Sequence, residues 1–234
     1  MAELILIRHG QASFGKENYD QLSSLGYQQC RELGKSHVGN LQPKRLVSGG
    51  LARQQQSLEA WLEGFGQKAV GNTDFPMEKV AHFNEFDTED VLAVAFPEFE
   101  NRQNMMRHLM ESGDPKKTFH KLYQQAVKLW ISGQRNSYKE SFEAFNERVM
   151  TGLSSLIESS EPGSSTILFS SAGPIALCLQ HALGLNANHA FALNEAMANS
   201  SVSRLVFNQS GELNLSYFNC FAHLNFSNTQ ITYR

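Results

Sequence analysis

A short segment near the start of the chain combines three residue types that phosphoryl transfer needs. Residues 4–7 are apolar and lead directly into Arg8, His9 and Gly10. A neutral imidazole can attack a phosphoryl group and carry it as phosphohistidine, which divides one difficult transfer into two easier steps. A neighbouring guanidinium can bind the phosphoryl oxygens, and glycine lets a phosphate approach the backbone closely. The segment therefore predicts a nucleophile at His9 and a phosphate-binding group at Arg8.

Two further segments carry a resemblance to a known family. Residues 22–30 resemble the helix start Leu-Thr-x-x-Gly-x-x-Gln-Ala, and residues 46–55 resemble a strand followed by Ser-x-x-x-x-Arg-x-x-Gln. Together with Arg8-His9-Gly10, they make the chain similar to the histidine phosphatase superfamily, and to its phosphoglycerate mutase-like family in particular. The resemblance runs from the first predicted strand to the last, and its specific blocks are short.

The resemblance implies a second phosphate-binding arginine at Arg53. A strand is predicted at 44–48 and a helix start near Leu51, so the guanidinium would lie at the carboxyl end of the sheet, where open α/β sheets bind ligands. The alternative is an arginine exposed on a helix surface.

The resemblance also implies a carboxylic acid after the third strand, which would protonate the leaving alcohol and later deprotonate the attacking water. Glu85 is the first candidate, because it lies between aromatic residues and partial burial would raise its pKa. Asp87 is the second candidate. Together with Glu89 and Asp90, it also fits an acidic helix start stabilised by the helix dipole.

Position 172 departs from the family pattern. Relatives place a second catalytic histidine in a strand-to-helix turn, where this chain reads Ser171-Ala172-Gly173. The amides of Ala172 and Gly173 can still bind an anion, because helix amino termini bind phosphate. Losing one preorganised donor slows such a reaction on the order of 10²–10³-fold. Three explanations stay open: Ser170, Ser171 or another group replaces the imidazole, the protein binds a ligand without turnover, or the change is engineered.

His223 is the one histidine that could substitute for the missing imidazole. A structural hydrogen bond is favoured for it, since a lone histidine near an apolar segment has many structural uses. The histidines at 37, 82, 108, 120, 181 and 189 show no metal-ligand spacing. No metal ion or cofactor is expected.

Composition predicts a single globular domain. The 234 residues, 41% of them apolar, suffice for one large α/β domain. The net charge of −3 gives no electrostatic footprint for nucleic acid. The amino terminus lacks the pattern of a secretory signal, and the uncharged segment 166–185 is interpreted as a buried strand and helix rather than a membrane span. Three widely spaced cysteines argue against a disulfide framework and favour the cytoplasm. The oligomeric state stays open.

The order of the predicted elements is typical of an α/β fold. Strands are predicted near 3–8, 44–48, 79–83, 166–170, 203–208 and 213–219. We expect a three-layer α/β/α sandwich with a central, mostly parallel sheet, formed by one domain over residues 1–234. Residues 86–140 depart from this alternation and have helical spacing of apolar residues, which predicts a helical insertion over the active site.

The resemblance narrows the expected activity. Mutase-type relatives continue after Arg-His-Gly with Glu-Ser/Thr, an Asn and a Gly-Trp-x-Asp segment, whereas this chain continues with Gln11-Ala12-Ser13-Phe14-Gly15. We therefore expect a phosphatase acting on a small phosphomonoester through phosphohistidine, and not a glycolytic mutase. The alternative is a weakened relative that binds a phosphorylated ligand without turnover.

Overall fold

One six-stranded mixed sheet organises the protein. The structure is a computed structural model that describes residues 1–13, 20–66, 75–99, 101–135 and 137–233. Its strands are β1 Ala2–Arg8, β2 Arg45–Ser48, β3 Met77–Lys79, β4 Ser165–Ser170, β5 Val202–Phe207 and β6 Leu213–Cys220. Their order is β3-β2-β4-β1-β5-β6, and β5 alone runs in the direction opposite to the other five strands of this sheet. The predicted α/β fold with a mostly parallel sheet is confirmed.

The apolar strand β1 lies in the interior of the sheet. Its residues Leu4, Ile5, Leu6 and Ile7 are at most 3% exposed, as expected for a parallel strand covered on both faces. Strand register places Arg8 opposite Ser170 of β4. The carboxyl ends of β1 and β4 therefore meet at the same edge of the sheet, where the segment after each strand can contribute to one site.

Helices alternate with these strands along the chain. They are α1 Ser24–His37, α2 Ala52–Phe65, α3 Thr88–Ala95, α4 Arg102–Glu111, α5 Pro115–Ser132, α6 Phe142–Glu158, α7 Ala172–Leu183, α8 Ala187–Ala196 and α9 Ala222–Phe226, with short 3-10 turns at Ala81–Phe83 and Pro97–Phe99. Helices α1 and α2 pack backbone to backbone at Gly34 and Gly64. A Cβ atom there would lie 2.2 Å from the carbonyl oxygen of Trp61 or 2.1 Å from that of Arg31.

The chain divides into two compact units. The first comprises Met1–Glu85 and Arg148–Arg234 and contains the sheet, and the second comprises Phe86–Glu147. The core of the second unit is aromatic, with the ring of Trp130 lying 4.6 Å from that of Phe86 and 5.5 Å from that of Phe145. Helices α3, α4 and α5 lie within the predicted insertion 86–140. No helix of the described residues is long and apolar enough to cross a bilayer.

The predicted third strand was wrong in its position. A strand was expected at 79–83, but β3 ends at Lys79 and residues 81–83 form a 3-10 turn. The physical reason is that side chains, rather than a neighbouring strand, bind the backbone here. Arg148 donates hydrogen bonds to the carbonyl oxygens of Ala81 and His82 at 3.2 and 2.8 Å.

Candidate active site

His9 lies immediately after β1, and its hydrogen bonds define its tautomer. Its amide donates to the carbonyl oxygen of Ser170 at 2.8 Å. Its Nδ1 lies 2.7 Å from the carbonyl oxygen of Gly10. A carbonyl oxygen only accepts, so Nδ1 carries the proton and Nε2 carries a lone pair. Nε2 accepts a hydrogen bond of 3.2 Å from Nε of Arg53, so Nε2 is the ring nitrogen with a lone pair available for attack.

The surroundings of His9 keep its imidazole neutral. The ring is buried, and this burial, followed by the positive charges of Arg53 and Arg8, lowers its pKa well below the usual 6.5, while the Gly10 carbonyl opposes the shift. Burial and nearby cations both disfavour the imidazolium. A neutral ring keeps its lone pair at mildly acidic pH, which is the form that can attack phosphorus.

Gly10 is required by packing as well as by chemistry. A Cβ atom at this position would lie 2.4 Å from the carbonyl oxygen of Gly26 and 3.0 Å from Sγ of Cys30, both in α1. Its amide donates to Oγ of Ser57 at 3.0 Å. The start of α1 therefore holds the segment that carries the nucleophile.

Arg53 lies in the first turn of α2 and is held by Asp20. Nη1 of Arg53 donates to Oδ1 of Asp20 at 2.7 Å, while Oδ2 accepts the amide of Ala52 at 2.9 Å. The residue before the helix is Leu51, whose side chain has no cap acceptor, so the Asp20 carboxylate satisfies this helix start from another segment. The same contact aims Nε of Arg53 at His9.

Arg8 is the second cation that acts on His9. It is 7% exposed, similar to the 8% of Arg53. Its Nη1 donates to the carbonyl oxygen of Met197, in the segment that precedes β5, and its amide donates to the carbonyl oxygen of Ser201 at 3.1 Å. Two largely buried guanidinium groups therefore converge on one neutral imidazole.

Glu85 reaches the amino terminus of α7. Its Oε2 accepts the amide of Gly173 at 3.0 Å. The predicted anion-binding amide at Gly173 therefore faces a carboxylate of the protein itself. This contact brings the predicted acid and the predicted strand-to-helix turn together at the carboxyl end of β4.

The backbone of His9 is fixed by the carboxyl-terminal part of the chain. Its carbonyl oxygen accepts Nδ2 of Asn199 and the amide of Ser200, each at 3.2 Å. Ser200 has a φ of 57°, the left-handed region that serine seldom adopts. Its Oγ lies 2.8 Å from Nε2 of His223. The geometry supports the structural role that we favoured for His223, because its ring contacts the serine that supports the nucleophile.

The sequence matches the family model of the histidine phosphatase superfamily, branch 1, over residues 4–220. This match extends from β1 to the end of β6. The chain belongs to the histidine phosphatase superfamily. The resemblance predicted from its motifs is thus confirmed. No curated protein sequence matches it significantly.

Solved structures of other proteins share the fold at low identity. YhfR of Bacillus stearothermophilus is 13% identical with a TM-score of 0.68, and the match covers 96% of this chain and 100% of that one. A mycobacterial glucosyl-3-phosphoglycerate phosphatase in complex with inorganic phosphate is 20% identical with a TM-score of 0.62, covering 94% and 98%. An alanine variant of phosphoserine phosphatase from Entamoeba histolytica, in complex with phosphoserine, is 17% identical with a TM-score of 0.63, covering 96% and 100%.

Position 172 of this histidine phosphatase carries only a methyl group at the start of α7. Ala172 is 3% exposed. The two serines that we considered as replacements are both engaged in the protein. Oγ of Ser170 donates to the carbonyl oxygen of Phe83 at 2.8 Å, and Oγ of Ser171 accepts Nε2 of Gln54 at 2.9 Å. Their contacts are those of groups that position the turn.

Asp87, the second candidate acid, acts as a helix cap. Its Oδ1 accepts the amide of Asp90 at 3.0 Å at the start of α3, and its Oδ2 pairs with Nζ of Lys139 at 3.0 Å. Partial burial disfavours its charge, but these two contacts outweigh it and lower its pKa. The acidic helix start that we considered for this segment is therefore present, with Glu89 and Asp90 in the first turn.

Several residues of the site were missed by sequence reasoning. Asp20 binds Arg53, and Asn199 binds the carbonyl oxygen of His9. Neither residue belongs to one of the motifs in the sequence analysis. Only the uncapped start of α2 at Leu51 could have indicated that an acceptor such as Asp20 was needed. In the described part of the chain, His, Cys, Asp and Glu side chains form no group of three that could hold a metal ion.

Proposed function

We propose that this histidine phosphatase hydrolyses a small phosphomonoester through a phosphohistidine at His9. The observation that carries the proposal is the state of the imidazole. Nδ1 donates to Gly10, Nε2 keeps its lone pair beside Arg53, and the environment disfavours protonation. A neutral, oriented imidazole next to a phosphate-binding cation is the arrangement that nucleophilic phosphoryl transfer requires.

In the first step, Nε2 of His9 forms a bond to phosphorus while the ester P–O bond breaks. Arg8 and Arg53 bind the nonbridging oxygens, whose charge they stabilise in the transition state. Glu85, in its protonated form, gives its proton to the leaving oxygen, which departs as an alcohol. To do so, its carboxyl group must leave or share its contact with the Gly173 amide, and the amides of Ala172 and Gly173 then face the phosphoryl group.

In the second step, water attacks the phosphorus of phosphohistidine. The Glu85 carboxylate takes the proton of this water, the N–P bond breaks, and its electron pair returns to Nε2 of His9. Inorganic phosphate leaves, and the site is restored. No metal ion or cofactor takes part in this scheme.

The substrate class follows from the residues beside the nucleophile and from the relatives. Two buried guanidinium groups suit one phosphoryl group, and the solved relatives named above include phosphatases for glucosyl-3-phosphoglycerate and phosphoserine. We propose a small phosphorylated metabolite as the substrate. The cytoplasmic location and the position of the helical insertion over the active site stay predictions.

The test is hydrolysis of p-nitrophenyl phosphate from pH 5 to pH 8 by the protein and by His9→Ala, purified in parallel. We expect slow turnover that the variant lacks, and a ³²P-labelled protein after rapid quenching that only the unsubstituted protein forms. Equal background rates from both proteins would overturn the phosphatase proposal.

A second function is binding without turnover, and two observations favour it. Ala172 supplies no side-chain donor to a phosphate, and the Glu85 carboxylate occupies the Gly173 amide. Calorimetric titration with inorganic phosphate, on the same two proteins, distinguishes this case. Phosphate binding combined with absent turnover supports the binding protein, whereas turnover lost with His9 excludes it.

A further inference from the structure

The four carbonyl groups of residues 81–84, which directly precede Glu85, are all bound by side chains. Nη1 of Arg148 donates to the carbonyl oxygens of Ala81, His82 and Asn84 at 3.2, 2.8 and 3.1 Å. The remaining carbonyl, that of Phe83, accepts Nε2 of Gln54 at 3.0 Å and Oγ of Ser170 at 2.8 Å. We define residues 81–84 as the acid loop.

We propose that Arg148 is the positioning residue of the proton donor Glu85. The inference rests on the proposed function, because it presumes that Glu85 protonates the leaving group. One nitrogen atom of Arg148 contacts three carbonyl oxygens of the acid loop. The three oxygens must therefore point to the same side, and this fixes the backbone that leads into Glu85. A guanidinium suits this task because it stays charged and donates in a fixed, planar geometry.

A second contact from the same helix supports the assignment. Gly152 lies one turn after Arg148 in α6, so the two residues share a face. A Cβ atom at Gly152 would lie 2.7 Å from Cβ of His82 and 3.0 Å from Cζ of Phe83. The face of α6 formed by positions 148 and 152 therefore approaches the acid loop as closely as glycine permits.

The other side of the acid loop is also fixed. Oδ1 of Asn84 accepts the amide of Gly50, and the amide of Val80 donates to the carbonyl oxygen of Ser48 at 2.8 Å. Ser48 and Ser170, at the ends of β2 and β4, and Gly50 thus hold the acid loop and the residue before it, while Arg148 holds the acid loop from α6. The contacts made by Arg148 can be removed by one substitution without changing a residue beside His9 or Arg53.

Misplacing a general acid has a recognisable kinetic signature. A good leaving group such as p-nitrophenolate departs with little need for a proton, whereas an alkoxide needs one. A displacement of about 1 Å at a catalytic group can lower the rate about 10²-fold. Loss of Arg148 should therefore slow hydrolysis of an alkyl phosphate much more than hydrolysis of p-nitrophenyl phosphate.

The experiment compares kcat/KM, which reports formation of phosphohistidine and not the later attack of water, for glycerol 3-phosphate and for p-nitrophenyl phosphate in Arg148→Met, Arg148→Lys and Gly152→Ala. For Arg148→Met we expect a loss of about 10- to 100-fold on the alkyl ester and less than about 3-fold on the aryl ester. Arg148→Lys should recover little, because one ammonium cannot reproduce the guanidinium geometry. Gly152→Ala should show the same selectivity, through steric displacement rather than loss of charge. Arg31→Met, an exposed helix arginine paired with Glu63 at 2.6 Å, is the matched control.

The variant Glu85→Gln separates failure of the inference from failure of the proposed function. If Glu85→Gln spares the alkyl ester, Glu85 is not the proton donor and the proposed mechanism fails. If Glu85→Gln shows the selective loss but Arg148→Met slows both esters equally, the positioning role is overturned and Arg148 is merely structural. Should Arg148→Met fold poorly, Gly152→Ala supplies the same comparison. In the double variant Arg148→Met with Glu85→Gln, we expect no further loss on the alkyl ester beyond that of Glu85→Gln.

Discussion

Nε of Arg53 lies 3.2 Å from Nε2 of His9, so the nitrogen that we propose as the nucleophile is covered by a donor from the proposed phosphate clamp. The guanidinium has a second engagement, with Asp20 at 2.7 Å. This arrangement orients the lone pair of Nε2 and excludes a proton from it. An arriving phosphoryl group would draw the guanidinium to its own oxygens and release the nitrogen for attack.

We predict that Arg53→Lys lowers kcat/KM on the order of 10²-fold, because an ammonium cannot contact the carboxylate of Asp20, the imidazole and a phosphate oxygen in one planar arrangement. Steady-state kinetics with p-nitrophenyl phosphate measure the effect, and thermal unfolding verifies that the variant is folded. Arg31→Lys, on the exposed surface of α1, is the control and should retain full activity. An unchanged kcat/KM in Arg53→Lys would remove Arg53 from the phosphate clamp.

The nucleophile is predicted to stay neutral in weak acid. Burial and the two arginines lower the pKa of His9 well below 6.5, so the protonation midpoint of the imidazole in the free protein should lie well below that of an exposed histidine. The measurement is an NMR titration of ¹³C-labelled histidine, in which the His9→Asn variant assigns the signal. A midpoint at pH 6.5 or above would contradict the described electrostatics.

Restoring a histidine at position 172 should accelerate turnover. We expect Ala172→His to raise kcat by about 10–10³-fold, because an imidazolium at the start of α7 would add a donor to the phosphoryl oxygens. Ala172 is 3% exposed, so the larger side chain will cost some stability, and the melting temperature must be measured beside kcat. Ala172→Leu supplies similar bulk without a donor, and if it accelerated turnover equally, the gain would not come from hydrogen bonding.

Acid should destabilise the fold through His223. Burial and the neighbouring His37 lower the pKa of His223 to about 4. Between about pH 6.5 and pH 4 the unfolded chain binds a proton that the folded protein excludes, so this contribution to the free energy of unfolding decreases as the pH falls through that range. Between pH 7 and pH 5, the free energy of unfolding should fall by roughly 1–2 kcal/mol more in the unsubstituted protein than in the His223→Gln variant. Urea unfolding at both pH values measures the difference, and equal losses in the two proteins would refute it.

The sequence predicted local features well and distant contacts poorly. The apolar run before Arg8 predicts a buried strand, and the segment 166–177 predicts a strand leading into a helix, because these signals lie within a few neighbouring residues. The strand predicted at 79–83 was wrong because a contact with a distant residue determines the structure there. Val80 and Phe83 resemble strand residues, but Arg148, far along the chain, binds the carbonyl groups and favours a 3-10 turn. Asp20 was missed for the same reason, since its partner Arg53 is brought to it only by the tertiary fold.

The backbone of His9 is held by Asn199, a residue that the ribosome adds much later. The side chain that holds the carbonyl oxygen of His9 is 190 residues later in the chain, and Asn199 in turn binds Thr232 at 2.9 Å. At about 5–20 residues per second, a ribosome needs roughly 10–40 s to add that length. Until residue 170 has been added, neither neighbour of β1 is complete, and β5 ends only at Phe207, so the backbone of β1 lacks its sheet partners for most of this interval. We therefore expect His9 to reach its final geometry only after the segments that contain Asn199 and Thr232 have been translated.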